Sequence, residues 1–276
     1  MSNPVDGTFR ASDECAISYT LHAGPAAGAP RVALVHSLAL DRSIWDSVVA
    51  RLAAHAAVLT YDCRGHGRSG HPAMRYTPEL FARDLAQLLD HVQWPAAVVA
   101  GCSMGGCVAQ AFAAAYPQRT PGLCLIDTTA WYGADAPKQW RERAATAQAK
   151  GMAALVDFQV TRWFGDAFRA AHPDTVNALT RVFLANDLKC YQATCEMLGD
   201  ADLRPQLSSI TAPTAVVVGD EDYAAPVAMA EVLNRGIPRS TLTIIAGGRH
   251  ITPVECPADI AAEILKLTTL NRGRAQ

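Results

Sequence analysis

Apolar and polar positions along the chain follow two rhythms. Short, continuous apolar runs at 31–36, 57–61, 96–101, 122–126, 214–218 and 241–245 have the length and composition of buried strands. Between them lie longer segments at 45–53, 78–92, 104–116, 226–235 and 257–270. These carry apolar residues at helical spacing; in 78–92, for example, Leu80, Phe81, Leu85, Leu88 and Leu89 mark one face. Apolar strands alternating with helices predict an α/β fold whose mostly parallel sheet is covered on both faces. Two earlier segments, 8–10 and 17–22, read as an antiparallel edge hairpin, which brings the expected strand number to eight.

The alternation stops between about 131 and 199. That stretch reads as all-helical, punctuated by Gly133, Pro137, Gly151, Gly165 and Pro173. It holds nine of the nineteen aromatic residues: Trp131, Tyr132, Trp140, Phe158, Trp163, Phe164, Phe168, Phe183 and Tyr191. Such density suits the private core of a small helical unit, and equally the underside of a lid that lines an apolar pocket. The expected division is a core made of 1–130 and 200–276 and a helical cap at 131–199.

Composition narrows the function classes. The chain has 276 residues, 50% of them apolar and 18% charged, with a formal net charge of −2. No Lys/Arg cluster offers a nucleic-acid footprint, and no apolar stretch approaches the roughly 18 residues of a membrane span. The start of the chain lacks the basic head and apolar middle of a signal peptide, so a soluble cytoplasmic protein is expected, either monomeric or homo-oligomeric. Eight cysteines occur without a Cys-x-x-Cys pair, and eight histidines without His-x-His or His-Glu-x-x-His spacing. Buried structural thiols are expected, with no metal and no cofactor.

The chemistry-bearing pattern is Gly101-Cys102-Ser103-Met104-Gly105, a Gly-x-Ser-x-Gly sequence between an apolar run and an Ala-rich helical one. A serine on that sharp turn presents its hydroxyl above the sheet, and the flanking glycines let strand and helix approach closely. The hydroxyl needs a base, and the chain order Ser, acid, His selects His250 over His36, His66 and His71. Three carboxylates compete for the acid. Asp222 has the Gly-x-x-Asp offset from Gly219 and is favoured. Asp127, at the end of the strand after the serine helix, is the rival, and Asp220 reads as a turn former hydrogen-bonded to its own backbone. With Ser103 as nucleophile, the backbone N–H groups of Leu38 and Met104 form the expected oxyanion hole. The charged loop Asp62-Cys63-Arg64-Gly65-His66-Gly67-Arg68-Ser69 reads as a turn locked by Asp62 and Arg64, with Gly65 and Gly67 in unusual backbone conformations.

Taken in order, the Tyr61–Ser69 loop, the Gly-x-Ser-x-Gly turn, Gly219-x-x-Asp222 and His250 resemble the serine α/β-hydrolases over the whole chain. Within that superfamily the chain is most similar to 3-oxoadipate enol-lactonases. This closer resemblance rests on Ser37-Leu38 with Trp45-Asp46, Asp127-Thr128-Thr129-Ala130-Trp131, Arg162-Trp163-Phe164, Cys195-Glu196 and Ala201-Asp202-Leu203-Arg204. It departs at His36 and Ala39, where those lactonases often have Asn and Gly, and at Cys102, where they have Leu. The resemblance implies ring opening of a five-membered enol-lactone bearing a carboxylate, through an acyl-enzyme on Ser103. Trp131, Trp163 and Arg162 are the expected substrate contacts, with Arg162 as a carboxylate clamp; a solvated helix arginine is the plain alternative. Arg141 and Arg143 have weaker claims. A broader carboxylesterase or cofactor-free perhydrolase is the alternative enzyme, and a ligand sensor built on the same fold is the alternative class.

Overall fold

The computed structural model describes residues 3–270. Its strands are β1 (Val5–Arg10), β2 (Ala16–His22), β3 (Arg31–Val35), β4 (Ala57–Tyr61), β5 (Val98–Cys102), β6 (Leu123–Ile126), β7 (Thr214–Gly219) and β8 (Ser240–Ile245). They form one sheet in the order β1-β2-β4-β3-β5-β6-β7-β8. The hairpin β1/β2 and the β2/β4 pair are antiparallel, and every later pair is parallel. The expected eight-stranded α/β architecture is therefore present. The hairpin is longer than the apolar pattern suggested, because the solvated side of β1 contributes no hydrophobic signal.

Helices α1 (Asp46–Leu52), α2 (Pro78–His91), α3 (Met104–Ala115), α9 (Val227–Gly236), α10 (Thr252–Glu255) and α11 (Pro257–Leu270) surround the sheet. Helix α1 packs with α11 and α2 with α3. Every residue of β5, β6 and β7 is buried, which accounts for their unbroken apolar runs. Local chemistry sets the helix starts. Thr77 accepts a hydrogen bond from the Leu80 N–H at 3.1 Å, and Pro78 occupies the first turn. Helix α1 begins later than expected because residues 42–45 form a 3-10 turn capped by Asp41.

Between β6 and β7 lie α4 (Ala136–Lys150), α5 (Val156–Trp163), α6 (Asp166–Ala171), α7 (Pro173–Leu184) and α8 (Leu188–Asp200). Phe164, Phe183 and Tyr191 are buried among them and serve the core of this helical block.

The chain leaves β3 toward β4 on one side and returns past it to β5 on the other, so the direction of winding reverses between β3 and β5. In open α/β sheets this switch point opens a crevice at the strand carboxyl ends. The loops after β3 and β5 carry Leu38 and Ser103, respectively.

The 62–69 loop is held as its charges suggested. Asp62 accepts from the Arg42 and Arg68 N–H groups, and Gly65 and Gly67 both have positive φ. The Arg64 guanidinium is buried and grips Asp84 through two 2.6 Å hydrogen bonds, with Asp13 at 2.9 Å on its other edge. Replacing Arg64 by Met strands the buried Asp84 carboxylate. Arg64→Met is expected to destabilise the fold by about 3–5 kcal/mol in urea unfolding.

Candidate active site

Ser103 caps α3 at φ 54° and ψ −115°, a conformation outside the ordinary regions. The turn is possible because two backbones touch it. A Cβ on Gly101 would overlap the Gly105 carbonyl oxygen; one on Gly105 would overlap the Val35 carbonyl oxygen and stand 2.7 Å from that of His36. The strained residue is tied to β6 and the loop after it: the Ser103 N–H donates to the Ile126 carbonyl at 2.9 Å, and Thr128 Oγ1 donates to the Ser103 carbonyl at 2.7 Å.

The three residues singled out along the chain converge in space. His250 Nε2 lies 2.9 Å from Ser103 Oγ, and His250 Nδ1 lies 2.8 Å from Asp222 Oδ2; all three side chains are buried. The other Asp222 oxygen accepts from the Ala224 and Ala225 N–H groups at 2.7 and 2.9 Å, which fixes the plane of the carboxylate. An imidazole held in this way donates its Nδ1–H to the acid and turns its Nε2 lone pair to the hydroxyl, the arrangement that lets a serine give up its proton.

The rival carboxylates are engaged elsewhere. Asp127 is buried with φ 49° and accepts from the Thr252 N–H at 3.0 Å, Thr252 Oγ1 at 2.6 Å and the Gly219 N–H at 3.2 Å. It ties the end of β7 to the segment after His250 and does not touch the imidazole. Burial, followed by the neighbouring Asp222 charge, pushes its pKa well above the usual carboxylate range. Asp220 accepts from the Gly247 N–H at 2.7 Å, so it braces the histidine loop rather than its own turn.

Leu38 lines the same cavity as Ser103, and Met104 follows Ser103 directly. Met104 is the first residue of α3, so its N–H has no helical acceptor. The Leu38 N–H belongs to the same peptide unit as the Ser37 carbonyl, which His36 Nδ1 grips at 2.7 Å; the Cys63 N–H donates to His36 Nε2 at 2.8 Å. Burial pulls the His36 pKa down, keeping the ring neutral and the peptide's orientation set. His36 is thus a support of the loop, a role the chain pattern did not disclose.

A cavity of about 480 Å³ opens above Ser103. Four of the nine clustered aromatics line it, namely Tyr132, Trp140, Phe158 and Trp163, together with Arg143 and Arg162. Trp131, an expected contact, does not line it. Residue 131 is bridged to Asp202 in extended conformation, so consecutive side chains point opposite ways. The Trp131 ring lies under the Arg204 guanidinium at 3.6 Å, while Tyr132 lines the cavity together with Ser103. Parity along an extended segment was the missing signal. Arg141 opens instead on an outer groove between α4 and α8.

Arg162 is sandwiched between Phe158 and Tyr223 at 4.8 and 5.1 Å. Arg143 donates its Nε–H to the Tyr191 hydroxyl at 2.8 Å and stacks over Trp140 at 4.8 Å. Among the described residues neither guanidinium pairs with a carboxylate, since Glu142, also in the cavity wall, faces Lys138. Burial and then the Arg143 charge pull the Arg162 pKa below its ordinary value. Among the described residues no cluster of three His, Cys, Asp or Glu side chains is arranged to hold a metal, and burial pushes the Cys15, Cys107, Cys195 and Cys256 thiols up to about 11. No helix of the described residues is long and apolar enough to cross a membrane.

The sheet and its serine turn define an α/β-hydrolase. Residues 30–257 match the family described as alpha/beta hydrolase fold, and the chain belongs to it. It is 33% identical to 3-oxoadipate enol-lactonase 2 of Acinetobacter baylyi over 228 residues, covering 83% of this chain and 84% of that one. The enol-lactonase from Burkholderia xenovorans LB400 superposes with a TM-score of 0.90 at 31% identity, covering 95% of this chain and 100% of that one. A thermophilic esterase from Thermogutta terrifontis superposes at 0.87 with 27% identity, covering 98% of this chain and 99% of that one. These relatives support hydrolase activity for the chain.

The close approach at the turn leaves no room for one methyl group. Gly105→Ala is expected to cost about 3 kcal/mol or more, read as a lowered urea midpoint or as insoluble protein.

Proposed function

We propose that the chain hydrolyses carboxylate-bearing enol-lactones of the 3-oxoadipate enol-lactone type, through an acyl-enzyme on Ser103. The observation that carries this reading is the pairing of the Ser103–His250–Asp222 chain with two guanidiniums, Arg143 and Arg162, that share one cavity wall and have no carboxylate partner among the described residues. Two cations left uncompensated beside each other are poised for an anionic group of the substrate. Arg143, held at Nε by Tyr191, keeps its outer nitrogens free for a bidentate carboxylate contact.

In the proposed reaction Ser103 Oγ attacks the ring carbonyl while its proton passes to His250 Nε2. The carbonyl oxygen becomes an oxyanion facing the Leu38 and Met104 N–H groups. The ring C–O bond breaks, the enol oxygen takes the proton from His250, and the acyl group stays on Ser103. Water then gives a proton to His250 and attacks the ester carbonyl; the C–Oγ bond breaks as His250 returns that proton to Ser103 Oγ, the acid is released, and the enol tautomerises to the ketone. Asp222 holds the imidazole orientation throughout, and the 131–199 segment acts as the cap that excludes water.

A broader esterase is the second reading. It is favoured by the likeness to the Thermogutta esterase and by the aromatic character of the cavity.

Ser103→Ala is expected to fold and to lose hydrolysis of both enol-lactones and aryl esters; unchanged rates in that variant refute the mechanism. The wild type is expected to prefer 3-oxoadipate enol-lactone over neutral lactones by more than tenfold in kcat/KM, about 1.4 kcal/mol. Arg143→Ala and Arg162→Ala should each erase about tenfold or more of that preference, as loss of a charged hydrogen bond of about 1.5–3 kcal/mol requires. A preference below tenfold favours the esterase.

Asp222→Asn is expected to lower kcat by about 10⁴-fold, through loss of the correct imidazole tautomer. Asp127→Asn should lower it less than tenfold and show mainly as a lower melting temperature. The reverse pattern would transfer the acid role to Asp127.

A further inference from the structure

We propose that Gln159 is a specificity-determining residue whose side-chain amide donates a hydrogen bond to the carboxylate of the substrate. This rests on the carboxylate reading above and adds a neutral donor to the two guanidiniums. Gln159 lies on α5 and is only 3% exposed, yet among the described residues its amide has no hydrogen-bond partner. It is not one of the buried polar groups closed off from all solvent, and it lines the cavity above Ser103. The little surface that its amide keeps therefore opens into that cavity. Gln110 shows what a structural buried glutamine does instead: its Nε2 donates to the Gly106 and Thr129 carbonyls at 3.1 and 3.0 Å.

The surroundings of the amide select its ligand. Residues three and four apart share a helix face, so Gln159 stands beside Arg162 and Trp163, which belong to the same cavity wall. The ring of the preceding residue, Phe158, has the Arg143 guanidinium over it at 5.4 Å and that of Arg162 at 4.8 Å. A polar group drawn to two cations without a carboxylate partner carries negative charge. A carboxylate offers roughly four lone-pair sites, of which a bidentate guanidinium fills two. The amide N–H meets a further one.

Discrimination then has two sources. The anion satisfies a buried amide that the protein itself leaves unpaired, and a neutral analogue with a methyl group at the same place leaves it unpaired and displaces its water.

Gln159→Met removes the donor and keeps the length of the side chain. Gln159→Glu keeps the shape and puts an anion in place of the amide. The test is kcat and KM for wild type and both variants on 3-oxoadipate enol-lactone and on a matched pair of esters. Monoethyl adipate and ethyl hexanoate differ by a terminal carboxylate against a methyl group. Ser103→Ala serves as background, and melting temperature checks packing. Gln159→Met is expected to raise KM about tenfold or more for the enol-lactone and monoethyl adipate, with kcat changed less than KM. The preference for monoethyl adipate over ethyl hexanoate should fall by about tenfold. Gln159→Glu should reduce it further, because its carboxylate repels that of the substrate and competes for Arg162. A loss shared equally by the two esters, or no loss in either variant, overturns the proposal, while a wild-type preference for monoethyl adipate leaves the carboxylate reading standing. A wild type without that preference overturns both.

Discussion

The site depends on a steric constraint: three backbones meet where β5 turns into α3. Gly101 and Gly105 bring the strand, the helix and the loop after β3 closer than any side chain allows. That closeness accompanies the strained conformation of Ser103 at the start of α3. Strain of this kind costs of the order of 1–3 kcal/mol and persists only where the surroundings over-determine it. Here β6 and the loop after it do so, with the Ile126 carbonyl holding the Ser103 N–H and the Thr128 hydroxyl holding its carbonyl. His36 supports the same corner from the other side, through the Ser37 carbonyl.

The histidine loop belongs as much to the helical block as to the sheet. The His250 and Ile251 N–H groups both donate to the Trp163 carbonyl, at 3.2 and 3.1 Å, at the end of α5. Glu255 bridges the two parts, accepting from the Gly165 N–H at 2.8 Å and the Arg249 N–H at 2.7 Å. Helix α5 thus orients the imidazole with its carboxyl end and lines the cavity with Phe158 and Arg162. Recognition of a ligand and alignment of the imidazole are mechanically linked through one short helix.

Two neighbouring carboxylates show how environment separates roles that residue type leaves equal. Asp127 and Asp222 are both buried at the carboxyl end of the sheet. Asp127 has its oxygens filled by Thr252 and Gly219. Asp222 spends one oxygen on two backbone N–H groups and keeps the other for His250. The Gly-x-x-Asp offset from Gly219 favoured Asp222, and hydrogen-bond occupancy supplies the reason.

Local patterning was enough for the strands, the main helices, the serine turn, and the pairing of Ser103 with His250, because buried parallel strands and tight glycine turns write their requirements into adjacent residues. The side chains that shape the cavity were not legible in that way. Trp131 and Tyr132 are neighbours of similar character, and only the bridge to Asp202 determines which one faces inward. Arg143 and Arg162 differ little from the solvated Arg141 until α4, α5 and α8 are packed and their aromatic partners come into place. Which way a side chain points in a packed helical block depends on contacts made between residues far apart along the chain, and no short stretch of sequence contains them.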